Sequence, residues 1–214
     1  MIGEASETRY LLFLHFDCYF IMIMISSNYK IIIAITGASG SIYALKLLGK
    51  LSTLKAPPSE IAIVFSDTAK EIWEYETGKK FLPEPPAKVY DNNNFFAPLA
   101  SGSSTFNSMI ICPASMGTMG RIANGLSDDL IGRAADVMLK ERRKLIMVPR
   151  ETPYNLIHIK NMETLTLAGA IICPATPSFY SKPQTIDDLV MTVVNRIISL
   201  AGLEGDSYHW MEND

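Results

Sequence analysis

Cysteine is scarce, with three residues in 214. Three thiols without a C-x-x-C pair exclude a disulfide scaffold and offer no zinc-ribbon or dithiol motif. Histidine is equally scarce (His15, His158 and His209), and no His/Cys/Asp spacing resembles a metal site. An excess of charge of one sign is also missing. The formal net charge of −3 argues against a general nucleic-acid binder. No apolar run reaches the roughly 20 residues of a membrane-spanning helix. The longest, residues 10–25 (YLLFLHFDCYFIMIMI), is interrupted by His15 and Asp17. It lacks the basic start and small-residue cleavage site of a secretory signal, and the Arg-rich, acid-poor composition of a presequence. Gly (13) and Pro (12) are at ordinary globular levels, which excludes a low-complexity chain.

What is present fits one domain, at about 150 residues per domain, and a chain of this size buries enough surface to fold without staples. The mean hydropathy is positive, +0.16. Part of that excess lies in residues 1–29, read as a non-native or accessory extension, with translation starting at Met22 or Met24. The competing reading is an extra helix or strand packing on a partner subunit. The expected catalytic domain is residues 30–214.

From residue 30, strand and helix patterns alternate. Lys30–Thr36 (KIIIAIT) reads as a strand buried on both faces. A helix follows, with apolar spacing at Ile42, Leu45, Leu48 and Leu51. Further strands are expected at Glu60–Phe65, Lys88–Tyr90, Ser108–Cys112, Leu145–Val148 and Ala170–Cys173. Helices are expected from Ser66-Asp67 to Thr77, from Ser115, over Ser127–Arg143, over Asn155–Ala168, and from a capping box Thr185-x-x-Asp188 to Leu200. The fold class is therefore α/β: a single-domain, three-layer, doubly wound and mostly parallel sheet of Rossmann-like type. Ligands in such sheets bind beyond the carboxyl ends of the strands.

The first strand end reads Thr36-Gly37-Ala38-Ser39-Gly40-Ser41. Small residues there admit a ligand to the backbone, and the next helix start offers free N–H groups. It is not G-x-G-x-x-G, since Ile42 and Tyr43 follow, and the second strand ends Phe65-Ser66 with no acid. Dinucleotide binding is disfavoured; a phosphate or mononucleotide remains, against the alternative of a plain tight turn. MIICPASM (109–116) and AIICPATP (170–177) echo each other, and proline is expected to stop each strand. Cys112 and Cys173 read as buried small hydrophobes rather than nucleophiles. Ser115 and Thr118 flank Gly117, as a helix cap or as a two-hydroxyl ligand site. Arg133, Asp136 and Lys140 share a helix face. Arg150-Glu151 at a strand end suits an anion clamp beside a proton-transfer group. Arg196, in an apolar helix, either snorkels or meets an anion. Tyr43, Phe95, Phe96 and the Pro177–Tyr180 loop either line an apolar pocket or pack locally. His158 reads as structural or surface rather than catalytic.

Taken together, the segments TGASGSIYALKLL, ETG, APLASGSS, ICPASMGT, RAADVMLKERRKLIMVPRETP, LAGAIICPATPSFY, KPQTIDDLV and VNRI resemble the UbiX/Pad family of flavin prenyltransferases. They run in consistent order from residue 36 to about 197. The resemblance implies transfer of a dimethylallyl group from dimethylallyl phosphate or diphosphate to N5 and C6 of reduced FMN, without a metal. The product would serve UbiD-type decarboxylases. It implies FMN contacts at Gly37, Ala38, Ser39, Ser66, Ser115, Met116, Gly117, Thr118 and Arg150, and prenyl-phosphate contacts at Tyr180, Arg196, Arg133 and Lys140. It implies catalytic roles for Ser39, Glu76 and Glu151, and a cation-facing aromatic at Phe95, where the family often has Trp. A cytoplasmic homododecamer with flavin between subunits is the expected setting, with no nucleic acid and no membrane span. Two other readings stay open: an FMN-dependent cysteine decarboxylase, and a non-catalytic flavin carrier.

Overall fold

Each β-branched run forms a strand, and each is matched to a neighbour running the same way. The computed structural model describes residues 28–205. In chain order the elements are β1 (Lys30–Ile35), α1 (Ser41–Ser52), β2 (Glu60–Phe65), α2 (Asp67–Thr77), β3 (Ala87–Tyr90), β4 (Ser108–Ala114), α3 (Met116–Ala123), α4 (Leu130–Lys140), β5 (Lys144–Pro149), α5 (Leu156–Leu167), β6 (Ile171–Ile172) and α6 (Ile186–Ala201), with a 3-10 turn at Pro98–Ala100. The extension assigned to residues 1–29 lies, up to residue 27, outside the described residues. Tyr29 already belongs to the folded body: its hydroxyl donates to Ala201 O at 2.6 Å and is hydrogen-bonded to Ser108 Oγ at 2.9 Å.

The sheet has six strands in the order β3-β2-β1-β4-β5-β6, all parallel. Alternate residues of β1 go to opposite faces, as the period of two requires. Ile31, Ile33 and Ile35 pack with α1, α2 and α6 residues such as Leu47, Trp73 and Val194. Ile32 and Ala34 pack with α3, α4 and α5 residues such as Met119, Ala134 and Leu165. Two apolar layers thus sandwich the sheet, and the expected three-layer doubly wound class holds. The order in which strands are added reverses between β1 and β4, so the switch-point crevice opens at the carboxyl ends of those two parallel strands.

Several boundaries differ from those expected. β4 does not stop at Cys112; it runs through Pro113 to Ala114, with a register shift between Ile111 and Ala114. Pro113 has no N–H to give, so the ladder skips it and resumes at Ala114↔Pro149. Its partner in the echo behaves otherwise: β6 ends at Ile172, before Cys173. α4 is shorter than Ser127–Arg143, because Asp129 caps it by accepting from Gly132 N at 2.7 Å. On α1 the buried face is Ser41, Ala44, Leu47 and Leu51, whereas Leu45 is 44 % exposed. Small residues there bring the helix close to the sheet and turn Leu45 outward. His158 is structural, since it and Asn155 form a reciprocal capping box that starts α5. Among the described residues no helix is long and apolar enough to cross a membrane.

Candidate active site at the β1/β4 crevice

The crevice is built from the backbone outward. At the end of β1, buried Thr36 ties the two switch-point strands together. Its Oγ1 donates to Pro113 O at 2.8 Å and accepts from Ser115 N at 2.7 Å, while its own N–H reaches Pro113 O at 3.2 Å. The glycine loop leaves from this anchor. Gly37 passes Thr68 so closely that a Cβ would lie 3.1 Å from its methyl. Gly40 has φ +120°, and a Cβ there would sit 3.2 Å from the Tyr43 ring. Both positions exclude side chains and keep the loop open to a ligand.

Glu76, from the end of α2, closes the loop. Its carboxylate accepts from Gly40 N at 3.0–3.1 Å and from Ser41 N at 2.7 Å. Those N–H groups open α1, where the helix dipole favours a negative charge. Partial burial is the largest single influence on Glu76 and pushes its pKa up. Hydrogen bonds from Ser39, Gly40 and Ser41 together outweigh it and hold the carboxyl below its ordinary range. On the other side of the loop, Arg150 Nε donates to Ser39 O at 2.8 Å. Glu151 follows at the surface, its carboxylate accepting from Thr152 N at 3.0 Å.

The remaining walls come from two helix starts. Ser66 caps α2, accepting from Ala69 N at 3.3 Å. Ser115 caps α3, accepting from Thr118 N at 3.2 Å, and its hydroxyl donates to Thr118 Oγ1 at 3.0 Å. The hydrogen bonds thus show the cap reading of this turn. Met116 and Gly117 lie in the first turn of α3, whose leading N–H groups have no partner within the helix. The α1 amides, expected to be free, are taken by Glu76, so the crevice offers hydroxyls, the leading amides of α3, one guanidinium and three glycines, a set suited to the phosphate and polar ring edge of a mononucleotide.

Arg196 is exposed on α6. Burial pushes the Cys173 thiol up, and the Arg196 charge pulls it back partway. Ser178 N donates to Thr192 Oγ1 at 3.1 Å, which pins the Pro177–Tyr180 loop onto α6 one turn before Arg196. Tyr180 itself is exposed. Arg133 and Lys140 lie elsewhere. Arg133 donates to Ala100 O at 3.0 Å and to Asp136 at 2.6 Å, and Lys140 pairs with Glu141 beside Gly102. Both therefore bond along α4 and its covering loop, not to the glycine loop of the same chain. Phe95 and Phe96 are exposed on that loop, 45 % and 101 %, and Tyr43 packs on Gly40 instead. Cys112 is fully buried, and burial, then the neighbouring Cys173, pushes its thiol up, as the hydrophobic reading requires. Among the described residues no group of His, Cys, Asp or Glu could hold a metal ion. A 520 Å³ cleft beside Tyr29, Arg142 and Lys144 lies at the opposite, amino edge of the sheet.

The Flavoprotein family model matches residues 24–198. The flavin prenyltransferase UbiX of Methanocaldococcus jannaschii is 43% identical over 181 residues, 84% of this chain and 96% of that protein. The chain belongs to the UbiX family of flavin prenyltransferases. Among solved structures, AnUbiX (PadA1) in complex with FMN and dimethylallyl pyrophosphate is similar to this UbiX-family chain with a TM-score of 0.80. It is 40% identical, and the match covers 87% of this chain and all of that one. A dodecameric, FMN-dependent UbiX-like decarboxylase from Escherichia coli matches with a TM-score of 0.76 and 37% identity, over 85% of this chain and 99% of that one. The peptidyl-cysteine decarboxylase EpiD, at 20% identity and a TM-score of 0.52, shares the fold alone.

Thr36 and Ser41 were read only as the ends of the glycine loop, and two neighbours of the crevice are absent from the sequence reading: Thr68, packed on Gly37, and Arg121, whose Nη2 donates to Thr118 Oγ1 at 3.3 Å. Thr36 carried a signal, a polar residue ending an otherwise apolar strand. Thr68 and Arg121 carried none, because their roles depend on which loop packs against them.

Proposed function

We propose that this chain transfers a dimethylallyl group from dimethylallyl phosphate or diphosphate to N5 and C6 of reduced FMN. The observation that carries the reading is the convergence of Gly37–Ser41, Ser66, Glu76, Ser115–Thr118 and Arg150 at the switch point of a chain about 40% identical to flavin prenyltransferases. FMN supplies the nucleophilic ring positions; the chain holds and orients it and manages charge and protons. Gly37, Ala38, Ser39, Ser66, Ser115, Met116, Gly117, Thr118 and Arg150 form the flavin cradle.

The prenyl C–O bond breaks with its electron pair leaving on the phosphate, so cations must face that oxygen. Arg196 and Tyr180 take this role from α6 and its pinned loop. Arg133 and Lys140 bond away from the glycine loop of their own chain, and we assign them to a crevice of a neighbouring copy in a homo-oligomer. Phe95 reaches the allylic fragment from that same surface and stabilises positive charge through its ring face, less well than Trp would. Two bonds from one prenyl unit would require the N5 and C6 protons to leave and one proton to be given to the prenyl double bond, so one proton is left over. Glu76 is already hydrogen-bonded to Ser39, and Glu151 lies next to Arg150; this pair of carboxylates takes the proton, Glu76 through the Ser39 hydroxyl. No step in this scheme calls for a metal. The product passes to a UbiD-type decarboxylase in the cytoplasm.

Two variants test the division of labour. Arg196→Met should raise the KM for the prenyl donor while FMN affinity stays near wild type. Glu151→Gln should slow turnover with FMN binding retained. Wild-type turnover in Glu151→Gln would remove Glu151 from the proton path. Loss of FMN binding in Arg196→Met would place Arg196 in the flavin cradle instead.

A further inference from the structure

The hydroxyls of the α3 turn have a fixed polarity. Ser115 Oγ accepts from Thr118 N at 3.2 Å and spends its hydrogen on Thr118 Oγ1 at 3.0 Å. Thr118 Oγ1 also accepts from Arg121 Nη2 at 3.3 Å. A hydroxyl oxygen has two lone pairs, so both acceptor sites of Thr118 are filled from below, and only its own hydrogen remains to be given. Arg121 is in turn held from outside the turn. Its Nε lies 3.8 Å from Asp128 Oδ1, and its Nη2 lies 3.9 Å from Asp129 Oδ2. Asp129 is itself fixed, because it caps α4 through Gly132 N at 2.7 Å and accepts from Asn92 at 3.2 Å. The buried Asn92 is locked by accepting from Ile131 N at 3.1 Å.

We propose that Arg121 is a positioning residue which, together with Ser115, fixes Thr118 as a hydrogen-bond donor toward the flavin. The turn then selects an acceptor atom on the ligand and rejects a donor. This rests on the flavin reading of the crevice given above. Arg121 acts in this proposal by occupying a lone pair that Thr118 would otherwise offer. Without it, Thr118 is free to rotate and to present an acceptor, and part of its orientation is lost before FMN arrives.

The test is a double-mutant cycle read by FMN binding alone, with oxidised FMN titrated by its fluorescence. Arg121→Met keeps the apolar stem and removes the donor. It should weaken FMN binding by about 2–10-fold, the range for one neutral hydrogen bond, and Arg121→Lys should restore most of the loss. Thr118→Val should weaken binding comparably or more, and in that background Arg121→Met should add less than about twofold. Thr118→Ser, which keeps the hydroxyl, should recover most of the binding lost in Thr118→Val and so separates loss of the hydroxyl from a packing defect. The same loss from Arg121→Met with and without the Thr118 hydroxyl would overturn the inference, as would an Arg121→Met variant that binds like wild type. A wild-type protein that does not bind FMN would defeat the flavin reading itself, and this inference with it.

Discussion

Glu76 occupies the position of an anion at the start of α1, and its ionisation is linked to folding. Its carboxyl is held below the ordinary range, so the unfolded chain binds the proton more readily than the folded one. Its contribution is therefore complete above the unfolded carboxylate pKa of about 4.3, and is lost as pH falls through the lower folded value. Glu76→Gln should lower stability at pH 7 by about 0.3–1 kcal/mol. It should also flatten the pH dependence of the thermal midpoint below about pH 4.5, and an unchanged acid limb would show that the contact carries no linkage. Gly40→Ala meets a different obstacle, since φ +120° is strained for alanine and the Tyr43 ring already fills the space. It should cost about 1–3 kcal/mol, and denaturant unfolding reads this directly. The importance of small residues at 37–41 was readable in the sequence, because nothing else lets a backbone approach a ligand. Glu76 was not readable from spacing: it lies 36 residues beyond Gly40, and only packing of α2 against the loop, or likeness to a family, joins them.

Element ends were the best-announced features, because caps are local chemistry. Ser66, Ser115, Asn155 and Thr185 each cap the helix expected to start there. Strand ends followed less well. Pro113 suggested a stop, but its carbonyl holds Thr36 through two hydrogen bonds and the ladder resumes one residue later. That contact joins residues 77 apart and has no sequence signature. Thr36→Val removes the hydroxyl and strands Ser115 N, a donor beside the crevice. A loss of about 1–3 kcal/mol follows, together with weaker FMN binding as α3 loses its register on β1. Equal FMN affinity in a destabilised Thr36→Val protein would uncouple the strand tie from the site. Helix faces were the hardest to read. α1 carries apolar residues on two sides, and periodicity cannot say which one meets the sheet; Ser41 and Ala44 decide it by allowing close approach.

On the scale of the molecule, the fold class followed from alternation alone, and the order β3-β2-β1-β4-β5-β6 puts the crevice where the glycine loop predicts it. The positive mean hydropathy has a matching cause in a sheet covered on both faces. One chain nevertheless leaves the proposed machinery divided, with Arg133 and Lys140 bonded along α4 and Arg150 at the glycine loop. If a neighbouring copy completes each crevice, a slowed Glu151→Gln chain and a slowed Arg133→Met/Lys140→Met chain should regain activity when co-assembled. Mixed assemblies that stay slowed would put all the groups of a site on one chain. The central claim concerns chemistry, and the mass of the flavin tests it most directly. Wild-type protein is incubated anaerobically with reduced FMN and dimethylallyl phosphate or diphosphate, and the flavin is extracted and weighed by mass spectrometry. The expected result is a gain of one five-carbon prenyl unit with at least one of the two donors. Flavin that binds but leaves with its mass unchanged with both donors would contradict prenyl transfer and favour a carrier.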